Sequence, residues 1–217
     1  IDQYIYISTP SAGDVNFTIN TIGSTSVSGT VSNANPYRHT ISTSGYSSFV
    51  QDPATTSRVT SDRGFIIEAD SPIYVSVRLN AGNNAQAGAL VSKGENALGT
   101  TFRIGTYDNQ GSPGSNYLNF FSFMATEDNT VINITLPTGN GQQLFSGATS
   151  SNIILNAGQT YVFGSENRND SSYGIIGTLV ESDKPIVVNS GSGLGSFAEG
   201  EGGQDYGVDQ IVGSDKV

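Results

Sequence analysis

Gly64-Phe65-Ile66-Ile67-Glu68-Ala69-Asp70-Ser71-Pro72-Ile73-Tyr74-Val75 returns 113 positions later as Gly177-Thr178-Leu179-Val180-Glu181-Ser182-Asp183-Lys184-Pro185-Ile186-Val187-Val188. Glycine, an apolar run, Glu, a small residue, Asp, a variable residue, Pro, Ile, a variable residue and Val keep their order throughout. The same offset joins Gly45 to Gly158 and lays Phe49-Val50 on Val162-Phe163. Self-similarity at a fixed offset is the mark of a tandem repeat. Each copy reads as a strand, a tight turn and a second strand, and so as a hairpin. Asp two places before the proline accepts hydrogen bonds from turn amides, and proline at a strand mouth loses least by lacking an N–H.

Outward from this unit the period-2 signal of half-buried strands recurs. Residues 4–8 and 15–19 alternate apolar and polar around the turn Pro10–Asp14, a second expected hairpin. Residues 20–36 read as weak strand or loop, Ser47–Val50 as strand, and Ala85–Val91 as a short helical or irregular patch. Tyr117–Ala125, with Phe120, Phe121 and Phe123, is the most apolar strand, and Gln142–Phe145 is a further one. Gly191–Gly207 reads as a glycine-rich acidic loop. Seven short strands with turn signals between them predict a sandwich-type module. The fold class expected is all-β: tandem antiparallel β-sandwich-like repeats, with a propeller-like closure of the repeats as the alternative. The division expected is a first unit over 1–99 with a Gly/Ala-rich tail, then a second over 100–217 that includes the start of a truncated third.

Composition narrows the function classes. The 217 residues carry 9 basic and 19 acidic side chains, a formal charge of −10, with the basic ones scattered singly. A nucleic-acid or anionic-membrane face needs clustered basic residues, so neither partner is expected. There is no cysteine, which excludes a disulfide framework and a thiolate metal site and suits an exported bacterial β-protein. No apolar run approaches the ~20 residues that span a bilayer as a helix. The start inside a strand, without initiator Met or signal peptide, reads as a fragment of a longer processed protein.

Five segments carry a resemblance. They are Met124-Ala125-Thr126-Glu127-Asp128-Asn129-Thr130, Ile134-Thr135-Leu136-Pro137, Leu155-Asn156-Ala157-Gly158-Gln159-Thr160-Tyr161, Glu181–Val188 and Asp205-Tyr206-Gly207-Val208-Asp209-Gln210-Ile211-Val212. In these the chain resembles the IgG Fc-binding-protein N-terminal domain family, with the first half as a weaker copy. The lack of cysteine favours the bacterial branch over the mucosal one. That branch implies large surface proteins with gliding-motility-type or type IX secretion signals, hence an extracellular, cell-surface location. It implies no catalytic residues.

Candidate chemistry is sparse. His39 is the single histidine, and no Gly-x-Ser-x-Gly elbow accompanies it for a triad. Glu68 and Glu181 suggest a glycosidase carboxylate pair, but their matching repeat positions place them on separate units. Glu199, Glu201, Asp205 and Asp209 form the one candidate metal loop, for Ca²⁺, without the spacing of an EF-hand. Gly191–Gly195 lacks the Lys-Ser/Thr end of a phosphate cradle. Asn16, Asn133 and Asn169 head sequons. Tyr107, Tyr117, Tyr173, Tyr206 and Phe197 are candidates for a partner surface. The function expected is a non-catalytic structural or adhesive module that meets protein or glycan ligands through loops. Neighbouring units, a homo-oligomer or a filament are its other expected partners. A carbohydrate-binding or glycoside-hydrolysing β-module is the alternative.

Overall fold

The computed structural model of the chain describes residues 2–80, 87–109, 118–137, 152–165, 175–196 and 205–216. The strands in chain order are β1 (Asp2–Ser8), β2 (Val15–Thr21), β3 (Ser26–Val31), β4 (Tyr37–Ser42), β5 (Val59–Thr60), β6 (Phe65–Ala69), β7 (Tyr74–Asn80) and β8 (Ala87–Val91). They continue with β9 (Gly99–Arg103), β10 (Asp108–Asn109), β11 (Asn119–Ala125), β12 (Thr130–Thr135), β13 (Ile153–Leu155), β14 (Thr160–Ser165), β15 (Leu179–Ser196) and β16 (Asp205–Ile211). All pairings are antiparallel.

The first unit is a sandwich of a three-stranded sheet, β3-β2-β6, and a four-stranded sheet, β4-β1-β7-β8. Period-2 alternation explains it: Ile5 and Ile7 of β1, Phe17 and Ile19 of β2, and Val77 and Leu79 of β7 all turn inward and are buried. Polar neighbours turn out. Burying each large apolar side chain contributes roughly 1.5–3 kcal/mol. The buried Gln3 at the end of β1 ties in the next turn, donating to the Gly45 carbonyl at 2.8 Å and accepting from the Ser47 hydroxyl at 2.5 Å.

The second unit repeats the strand order. β13-β12-β15 matches β3-β2-β6, and β14-β11-β15-β16 matches β4-β1-β7-β8. Register agrees as well: Glu68 lies opposite Thr18, and Glu181 opposite Asn133. The Thr9 hydroxyl donates to the Pro72 carbonyl at 2.9 Å, and the Thr126 hydroxyl to the Pro185 carbonyl at 2.6 Å. Asp70 accepts the Asn16 amide and Asp183 the Val131 amide, at 3.1 and 2.8 Å. The chain is therefore all-β, built of tandem antiparallel sandwich-like repeats. Its facing sheets share cores, unlike the radial blades of a propeller. In the second unit β15 runs through both sheets without a break, so the nine-stranded sheet curls almost into a barrel. Phe102, Phe121, Phe123, Phe163 and Val180 fill its core.

Several local expectations are corrected. The repeated motif is no hairpin, because β6 pairs with β2 while β7 pairs with β1. The turn at Asp70 carries the chain from one sheet to the other. The same holds for β1 and β2. Ala87–Val91 is a strand on β7 rather than helical, and Ser47–Val50 is a turn closed by the Ser47 amide on the Val50 carbonyl at 2.8 Å. Gly191–Ser196 belongs to β15 and is paired by β10 and β16. Small residues there admit close backbone approach, a role composition alone does not separate from a loop. The Gln142–Phe145 strand lies outside the described residues.

The units meet through the outward face of β11 and β16. Phe120, Tyr206 and Val208 join the first unit's core, with the Phe120 and Tyr206 rings 5.9 Å apart. Burial pushes the Tyr206 phenol well above its ordinary value. β5 pairs with β14, and the Ala87 amide donates to Asp205 at 3.0 Å.

Candidate binding surfaces

The two outer faces of the first sandwich are built differently. On the four-stranded sheet, turning Ile5 and Ile7 inward forces Tyr4 and Tyr6 outward. Tyr6 lies opposite Arg38 of β4 and Ser76 of β7, and Tyr4 opposite Arg78. Tyr74 lies one step along, opposite Ser8. Tyr4 and Tyr6 meet edge to face with centroids 6.1 Å apart, and the Arg38 guanidinium sits 4.9 Å from the Tyr4 centroid. Tyr6, Tyr74 and Val91 are exposed, at 38%, 66% and 56%. Two of the chain's nine basic residues thus flank three tyrosines on an otherwise acidic molecule. Tyr supplies large contact area at low conformational cost, and Tyr and Arg are enriched among the few residues that carry most interface energy.

The three-stranded sheet presents an open trough of about 600 Å³. Its floor is the cross-strand row Gly29–Phe17–Ala69. The Phe17 ring lies beneath Gly29, where a side chain at that position would have to stand. One wall is Ser28, Thr18 and Glu68, and the other Thr30, Asn16 and Asp70. Asp70 accepts both the backbone and side-chain N–H of Asn16, at 3.1 and 2.6 Å, and Glu68 accepts Asn20 at 3.1 Å. Glu68 lies on β6 and Asp70 just past its end, two places along. Both are engaged as acceptors in ladder bonds.

The remaining candidates are placed as follows. His39 lies on β4 opposite Ile5, and among the described residues no serine is hydrogen-bonded to it. Burial holds its imidazole below the ordinary 6.5. Glu68 and Glu181 hold the same register in separate units. Asp205 and Asp209 lie on β16, where Asp205 accepts the Ala87 amide and Asp209 pairs with Lys93 Nζ at 2.7 Å. Four positions along a strand separate their Cα atoms by about 13 Å, beyond the span of one ion. Glu199 and Glu201 lie outside the described residues, as do Tyr117, Tyr173, Phe197 and Asn169. Among the described residues no group of three or more His, Cys, Asp or Glu side chains is gathered for a metal. Tyr107 packs on Gly195 and Gly207, and Tyr206 packs between the units. Among the described residues the exposed tyrosines are Tyr6, Tyr46 and Tyr74, and Tyr6 and Tyr74 share their sheet face with the half-buried Tyr4, a face sequence reasoning missed. The signal was present, because Tyr-Ile-Tyr-Ile at residues 4–7 leaves the tyrosines outside once the isoleucines are placed.

The two outer faces of the first sandwich are open surfaces of opposite charge, one carrying Arg38 and Arg78 and the other Glu68 and Asp70. The chain belongs to the IgG Fc-binding protein family, whose model matches residues 87–217. The family is one of binding modules. No curated protein and no solved structure matches the chain. Among the described residues no helix is long and apolar enough to cross a membrane.

Proposed function

We propose that the chain is a non-catalytic adhesive module of a large bacterial cell-surface or secreted protein. Two units, over 1–99 and 100–217, hold its shape, and a partner protein docks on the face of β4, β1 and β7. The observation that supports this most directly is the Tyr4, Tyr6 and Tyr74 stripe flanked by Arg38 and Arg78. Its rings supply apolar area and its guanidinium groups complement an acidic partner, with exposed loops at the rim. The family takes its name from antibody Fc, one ligand to include in the test. An exported setting suits a chain that folds without disulfides.

The test is surface adhesion, immobilised-Fc and glycan-array binding by the wild type and a Tyr4→Ala/Tyr6→Ala/Tyr74→Ala variant. A protein ligand lost in the variant, with the fold intact by circular dichroism, supports the reading. Unchanged binding rejects this face. The second reading, a carbohydrate-binding module, is favoured by the open trough, whose rim of hydroxyl, amide and carboxylate groups matches sugar hydroxyls. Glycan binding abolished by Glu68→Ala but kept in the tyrosine variant would select it.

A further inference from the structure

Strand β6 and the Leu179–Ser182 part of β15 hold one position in the two units, yet only the second has both edges paired. The Ile22 amide donates to the Gly64 carbonyl and the Asp70 amide to the Asn16 carbonyl, each at 3.1 Å. Alternate residues of an antiparallel strand bond the same neighbour. Ile66 and Glu68 therefore face β2, while the amides and carbonyls of Phe65, Ile67 and Ala69 point away from it. Among the described residues nothing pairs with that edge of β6, which ends its sheet. Just before it, the Gly64 amide is capped by the Ser48 carbonyl at 2.7 Å.

In the second unit the corresponding edge is occupied by β9. The Ile104 amide donates to the Thr178 carbonyl at 3.0 Å, the Gly177 amide to the Ile104 carbonyl at 2.7 Å, and Phe102 lies opposite Val180. Repeat alignment puts Phe65 on Thr178, Ile67 on Val180 and Ala69 on Ser182. Burial follows the pairing. Thr178, Val180 and Phe102 are all 0% exposed. Phe65 and Ile67 are only half-buried, and Ala69 is exposed although it shares the inward face with Phe17.

We propose that the β6 edge is a strand-acceptor site that takes an antiparallel segment of β9 chemistry from another unit of this family. Such a segment is extended and directs one large apolar side chain over Ile67, as Phe102 is placed opposite Val180. Small hydroxylated residues precede it, as Thr100 and Thr101 precede Phe102, and a basic residue follows it, as Arg103 does opposite Leu179, the equivalent of Ile66. The β9 of a second copy is already bonded in its own sheet, so self-pairing would require unpairing it. Main-chain hydrogen bonds supply the affinity of strand addition, and alternate side chains supply the selectivity.

The test uses the full chain with a synthetic peptide of residues 98–105, Leu-Gly-Thr-Thr-Phe-Arg-Ile-Gly, and amide hydrogen exchange read by NMR. The amides of Ile67 and Ala69 are expected to exchange fast in the free protein. With peptide at ten times its dissociation constant they slow about tenfold, in proportion to the unbound fraction. A peptide carrying Asp in place of its Phe is expected to give no slowing. Ala69→Lys places a charge on the edge and is expected to abolish the effect while β1 and β7 amides stay protected. The proposal is overturned by protection of these two amides in the free protein, or by no slowing at millimolar peptide. Slowing confined to other edges, or undiminished slowing in Ala69→Lys, overturns it equally. None of these readouts depends on the tyrosine face.

Discussion

Gly64 and Gly177 share one backbone conformation, with φ of 100° at the first and 86° at the second. A side chain there costs about 1–2 kcal/mol in strain. At Gly177 the added Cβ would find Pro137 Cγ no nearer than 4.0 Å, so strain is the whole cost. At Gly64 the terminal methyl of Met124 lies in the way. Gly64→Ala is therefore expected to lower the urea midpoint more than Gly177→Ala. Equal midpoints would show that Met124 swings aside freely.

Phe121 is fully buried and stacked on Phe163, with centroids 4.7 Å apart and planes 16° from parallel. Phe121→Ala is expected to destabilise by about 3–5 kcal/mol through lost burial and a residual cavity. Tyr74→Ala, at a 66% exposed position, is expected to change stability by no more than about 0.5 kcal/mol. Chemical denaturation of both variants checks the contrast, and a large loss at Tyr74 would mean that its face is structural.

Thr9→Val and Thr126→Val each remove the hydroxyl that bonds a proline carbonyl across the sandwich. Each is expected to cost about 1 kcal/mol. Because the sites belong to different units, the double variant should show the sum to within about 0.5 kcal/mol. A marked departure would reveal coupling through the interface of Phe120 and Tyr206.

His39 offers a clean pH probe because it is the single histidine. Its folded-state pKa is below 6.5 because burial disfavours the imidazolium. The unfolded chain then binds the proton more tightly. Its contribution is intact above 6.5 and declines as pH falls from there through the folded value. His39→Gln is expected to flatten stability across this window. An NMR titration giving a midpoint of 6.5 would abolish the effect, and one above 6.5 would reverse its sign.

Asp205 and Asp209 already have an amide and an ammonium as partners. Chelator treatment is expected to leave the melting temperature unchanged. A rise on adding calcium that is lost in Asp205→Asn would assign the loop a metal after all.

The second copy of the Gly64–Val75 motif, the alternation in β1 and β2, and the apolar run in β11 were enough to predict tandem all-β units. Period-2 burial is a local property that each strand carries in its own residues. Strand partners were not legible, and the motif read as a hairpin although its halves join opposite sheets. Pairing depends on which distant edge offers the longer complementary register, which no local pattern records. The Tyr4, Tyr6 and Tyr74 face was half legible. Alternation turned the first two outward, but only the register of β7 against β1 brings Tyr74 and Arg78 beside them. The open edge of β6 was wholly a matter of tertiary structure, since Phe65–Ala69 and Thr178–Ser182 read alike while, among the described residues, β9 lies along the second alone.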